Sequence, residues 1–114
     1  MDSIALALPV LTGKTESVRK LFKMLKSEKR KEYDKSQKKA GVLREKDFLQ
    51  STPMGDMLIF YFESCDLNKA LTEFAKSKDP FDVWIKGELK SFTGVDFSQP
   101  PSGPLPELLM SYDS

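Results

Sequence analysis

The chain has 114 residues, room for one domain that buries roughly two thirds of the surface its unfolded form exposes. A composition of 39% hydrophobic and 31% charged residues is a globular balance and excludes wholesale disorder. Lys and Arg number 18 against 17 Asp and Glu, so no global field draws the chain to nucleic acid or anionic lipid, and neither partner is expected.

Near the start, Ile4, Leu6 and Leu8 alternate with Ser3, Ala5 and Ala7 up to Pro9, a period of two that predicts a first strand. The apolar run Ile4 to Leu11 is too short for a membrane span and lacks a basic segment before it, so it is read neither as a span nor as a signal peptide. After Gly13, Thr15 is an expected N-cap for an amphipathic helix carrying Val18, Leu21, Phe22 and Leu25. Lys26 to Lys39 holds seven basic residues against three acidic, with Tyr33 as its one large apolar side chain. It reads as a second helical piece with a solvated face, closed by Gly41.

Phe48 to Thr52 predicts a strand, the Pro53 to Asp56 cluster a hairpin loop, and Met57 to Glu63 the returning strand. That last strand is apolar on both faces: Leu58, Phe60 and Phe62 point one way and Met57, Ile59 and Tyr61 the other. Asp66 is an expected cap for a helix with Leu67, Ala70, Leu71, Phe74 and Ala75. Asp79 and Pro80 open another, in which Phe81, Trp84, Ile85 and Leu89 recur at helical spacing. After Gly94, Val95 to Phe97 is expected as a short final strand. Residues 99–114 form a proline-rich tail with an apolar end, expected to pack on the 1–98 domain or on a partner subunit.

The expected fold class is therefore α+β, a ferredoxin-like βαββαβ sandwich with a four-stranded antiparallel sheet and helices on one face. The other face, left apolar, is expected to dimerise.

On the Gly13-Lys14-Thr15-Glu16 helix entrance, the hairpin Phe48 to Asp56 and the segment Ser77-Lys78-Asp79-Pro80-Phe81-Asp82 with Trp84, the chain resembles the dimeric α/β-barrel superfamily, and within it small uncharacterised bacterial members. The resemblance implies a homodimer closed into a barrel and a small apolar ligand. It also implies cofactor-free monooxygenase- or isomerase-like chemistry. The haem-dependent branch uses a histidine ligand that this chain lacks.

Without histidine, the Ser/His/Asp and Cys/His arrangements are absent, and one cysteine cannot build a usual zinc site. No cofactor or metal is expected. Cys65 excludes an intramolecular disulfide, fits a reducing compartment, by default the cytoplasm, and reads as a buried thiol at a strand end. Asp79 and Asp82 read as a cap and a first-turn acid.

The expected ligand surface is the non-helical sheet face. Tyr61 would orient a substrate there and Glu63 would act as base, because a phenol and a carboxylate suit a dry helix-covered core poorly. Arg44 and Gln50 are ligand-binding candidates from the neighbouring strand, and Trp84 from its helix. The competing expectation is a non-enzymatic dimeric interaction module with a solid core.

Overall fold

A strand that is apolar on both sides belongs in the middle of a sheet, and Met57 to Glu63 lies there. In the computed structural model, which describes residues 1–100 and 103–114, the order of elements is β1 (Asp2–Pro9), α1 (Thr15–Lys26), α2 (Arg30–Ala40), β2 (Val42–Thr52), β3 (Gly55–Ser64), α3 (Leu67–Lys76) and α4 (Pro80–Thr93). The sheet has three strands in the order β1-β3-β2, antiparallel throughout. Because opposed residues share a face, the pairs Ile4↔Phe62, Leu6↔Phe60 and Leu8↔Leu58 assemble one apolar side, which Leu49 extends from β2. All four helices pack on the sheet or on one another to build the core above that side. Among the described residues, no helix is long and apolar enough to cross a membrane.

The expected four-stranded ferredoxin-like sheet is corrected to three strands. Val95 to Phe97 forms no strand: the Asp96 carboxylate accepts from the Ser98 amide at 2.9 Å and the Ser98 hydroxyl at 2.6 Å. The backbone closes as well, Gln99 N–H donating to the Asp96 carbonyl at 3.2 Å. A side chain that can satisfy the backbone locally competes with a sheet ladder, and here the turn wins. Phe97 is thereby turned against Phe60, edge to face, with ring centroids 6.3 Å apart. Without the fourth strand, two copies cannot close the barrel that the resemblance implies. The hairpin's first arm is also longer than its sequence suggests, beginning at Val42 rather than Phe48. It bulges between Val42 and Arg44, leaving Leu43 as an extra, exposed residue.

The core joins Val18, Leu21 and Leu25 of α1 and Ile85, Leu89 and Phe92 of α4 to Leu58 and Phe60 of the sheet. Each such side chain contributes about 1.5–3 kcal/mol by leaving water. Helix α2 has little of this to offer, its buried residues being Ser36 and Ala40. It is held instead by Asp82 of α4, which is 1% exposed and accepts hydrogen bonds from the Ser36 hydroxyl, from Ser77 at 2.5 Å and from Lys39 at 2.7 Å. Asp82 is thus a buried clamp rather than a dipole-facing acid. Asp79 makes no capping bond and pairs with Lys39. The buried Lys86 ammonium closes the end of α3 by donating to the carbonyls of Phe74, Ala75 and Ser77 at 2.8, 3.0 and 3.0 Å. Gly41, at φ 81°, ends α2 in the left-handed region that a side chain would strain.

Burial raises the Asp82 pKa, but the bonds from Lys39, Ser36 and Ser77 outweigh it and hold the group below the ordinary 3.8. Its contribution to stability is full above that value and drains as pH falls through the lower folded-state value. Asp82→Ala is expected to cost about 2–3 kcal/mol at pH 7 in urea denaturation, with the deficit shrinking below pH 3.8.

Candidate functional site

Alternation places Arg44, Lys46, Phe48 and Gln50 of β2 beside Tyr61 and Glu63 of β3 on the side of the sheet away from the helices. There the Tyr61 hydroxyl donates to Glu63 Oε2 at 2.6 Å, and an Arg44 guanidinium nitrogen lies 3.8 Å from the same oxygen. The bond to Glu63, then desolvation, lifts the Tyr61 phenol above its usual value. Tyr61, Glu63 and Arg44 are therefore brought together, with Gln50 farther along the same face opposite Met57. Trp84 is in the other layer, on α4, with Phe81 at 5.7 Å between ring centroids and the Lys29 ammonium 5.1 Å above its ring. None of these five residues lines either of the two cavities described next. Cys65, expected to be buried, is exposed.

The cavities lie on the helical side. A smaller one, of about 100 Å³, sits between the sheet and α2, α3 and α4, walled by Leu6, Phe60, Phe62, Leu71, Phe74 and Phe81. A larger one, of about 300 Å³, lies between α1, α2 and β2, walled by Val18, Leu49 and Leu58 among others. Phe22, Leu25 and Tyr33 line both and so form the partition between them. Arg19, Lys26 and Arg30 line the larger cavity, two of them engaged by Glu16 and Asp34.

Into this apolar region the same alternation that sends Arg44 and Lys46 outward sends Glu45 and Asp47 inward, toward Tyr33 and Gln37 of α2. The Gln37 amide donates to Glu45 Oε1 at 2.7 Å and to the Tyr33 oxygen at 3.2 Å. Burial, the Glu45 charge and a hydrogen bond shared with Glu45 push the Asp47 carboxyl up to about 9. Burial, followed by the charges of Glu45 and Asp47, likewise lifts the Tyr33 phenol well above its ordinary value. The Asp47 carboxyl therefore keeps its proton at neutral pH. Asp47 Oδ1 is buried with no hydrogen-bond partner among the described residues, a condition that costs about 1–3 kcal/mol.

Sequence reasoning missed Tyr33, Gln37, Glu45 and Asp47 as a group. The signal was period two: once β2 starts at Val42, Glu45, Asp47 and Leu49 share a face, and Leu49 is apolar. Among the described residues, no cluster of three or more histidine, cysteine or acidic groups is placed to hold a metal ion.

The Tyr33 phenol thus faces both cavities, Asp47 lines the larger one, and Gln37 and Glu45 line the smaller one. In comparisons with known proteins, no family model, no curated protein and no solved structure matches the chain.

A carboxyl whose folded-state pKa is raised contributes stability that is full below its unfolded value, 3.8, and lost as pH rises through about 9. Asp47→Asn removes that liability, since its amide donates to Glu45. It is expected to raise stability at pH 8 by about 2 kcal/mol and to flatten the pH dependence, as read by thermal denaturation across pH 4 to 9.

Proposed function

We propose that the chain binds a small, largely apolar molecule between its sheet and its helices, and that the larger cavity is where it binds. The carrying observation is a roughly 300 Å³ space whose walls join Val18, Phe22, Leu25, Leu49 and Leu58 to the Tyr33 phenol and the Asp47 carboxyl. Binding sites have this composition, mostly apolar with a few convergent polar groups. A space of this kind favours the ligand reading over an interaction module with a filled core. Isomerisation of the bound molecule is the activity that suits Asp47, whose carboxyl, pushed up to about 9, holds at neutral pH a proton that it can donate without a cofactor. A single thiol and no disulfide fit the cytoplasm as the place of action.

The proposal includes a second copy of the chain over the open sheet face. The helices leave Ala5, Ala7 and Ile59 without cover from their side, and Phe48 there is 54% exposed. The tail adds Leu108, Leu109, Met110 and Tyr112, which are 66%, 87%, 83% and 82% exposed. Apolar surface of this extent on a small domain marks an interface.

Native mass spectrometry of the full chain is expected to show a dimer carrying, or accepting, a small apolar molecule. Leu25→Trp, which fills the partition between the cavities, is expected to weaken binding of anilinonaphthalene sulfonate about tenfold with the circular dichroism unchanged. Ile59→Glu, on the opposite side of the sheet, is expected to give a single-copy species in sedimentation at micromolar concentration and to leave dye binding intact. Equal dye binding by the native chain and Leu25→Trp would remove the cavity from the account.

A further inference from the structure

Resting on that reading, we infer that the molecule in the larger cavity is an anionic amphiphile, an apolar body ending in one carboxylate, which pairs with Lys26 at the cavity rim in the field of Arg19 and Arg30. The register of α1 creates that rim. Val18, Phe22 and Leu25 recur at spacings of four and three and turn one apolar face to the cavity. Arg19 and Lys26 each follow a buried residue of that face by one position. Seven residues apart, they lie along a single edge of it, about 10 Å from each other along the helix axis. Arg30 stands one turn before Tyr33 on α2 and brings a third cation to the same cavity. All three cations are exposed, whereas Val18, Leu25 and Leu58 are buried, so the space has an apolar interior and a basic edge.

The charge of the lining is one-sided. Against three cations it holds one acid, Asp47, whose carboxyl keeps its proton at neutral pH. Arg19 and Arg30 are paired within their own helices, with Glu16 and Asp34, and neither of those carboxylates lines the cavity. Exposed pairs of this kind are worth about 0–1 kcal/mol, so either guanidinium turns to an incoming anion at little cost. Lys26 forms no ion pair among the described residues. One unpaired cation matches the single charge of a carboxylate, whereas a phosphate monoester brings about 1.5 to 2. An ammonium head would meet like charge on all three rim residues. A neutral molecule would fill the interior and gain nothing from the rim.

The test is equilibrium dialysis of the full chain, at pH 7 and low ionic strength, against naphthalene, 2-naphthoate, 2-naphthylmethylamine and 2-naphthyl phosphate. The four probes share a ring system and differ in the head group. The expected result is 2-naphthoate bound at least tenfold more tightly than each of the others, with its advantage over naphthalene shrinking as salt is added. Lys26→Glu should bring 2-naphthoate to the level of naphthalene and leave naphthalene binding unchanged, while Lys26→Arg should keep the preference. Lys69→Glu, the same change of net charge at an exposed position on α3, should leave the preference intact. The head-group comparison on the unmodified chain decides the matter should a variant not fold. Equal binding of 2-naphthoate and naphthalene overturns the anion assignment and leaves the cavity reading in place. An equal loss of preference in Lys69→Glu and Lys26→Glu overturns the assignment to this rim. Tighter binding of the amine or the phosphate overturns it in favour of that group. Binding of none of the four overturns the cavity reading itself.

Discussion

The helical layer depends on one buried carboxylate. Helix α2 is charged along most of its length, and the small Ser36 and Ala40 are its buried residues, so apolar burial cannot hold it to the rest. Asp82 does so from α4, gathering Ser36, Lys39 and Ser77 at a point that is 1% exposed. A polar clamp at one end of a helix fixes its position without filling the space beneath it. The cavity walls follow from that: where a Leu-rich helix would send long side chains to the sheet, α2 sends Tyr33, Ser36, Gln37 and Ala40.

The two faces of the sheet carry similar side chains in opposite physical circumstances. Outside, Tyr61, Glu63 and Arg44 satisfy one another, with Arg44 63% exposed, so the ion pair is worth about 0–1 kcal/mol. Inside, Glu45 and Asp47 form no ion pair among the described residues, and burial is the largest influence on the protons of Tyr33 and Asp47. An unmet acceptor there outweighs the entire outer pair, which is why the inner cluster carries the functional reading. A phenol beside a carboxylate becomes informative only with the burial around it.

Much of the scaffold was legible because local chemistry and global pattern agreed. The double-sided strand became the centre of the sheet, Asp66 caps α3 by accepting from Lys69 N–H at 3.0 Å, and Gly41 and Gly94 end α2 and α4 in left-handed conformations. Tyr61 and Glu63 lie on the face away from the helices, as their polarity suggested, with Arg44 and Gln50 beside them. Other features turned on competition that a pattern does not display. Val95 to Phe97 has strand-like residues, but the carboxylate of Asp96 offers a nearer set of hydrogen bonds. The first half of β2, Val42 to Asp47, is too charged to read as a strand, because its inward residues are themselves acidic. The inner site was hidden for that reason: buried acids look in sequence like solvent-facing ones.

A sheet of three strands has two unprotected borders, and β2 supplies one over eleven residues. A flat apolar ribbon of that length would template the stacking of further chains into fibres. The extra residue at Leu43 twists the ribbon out of plane, and Arg44 and Lys46 place like charge where a newcomer's identical strand would lie. The irregularity that made this strand hard to recognise thus also disfavours stacking of a second copy along this margin.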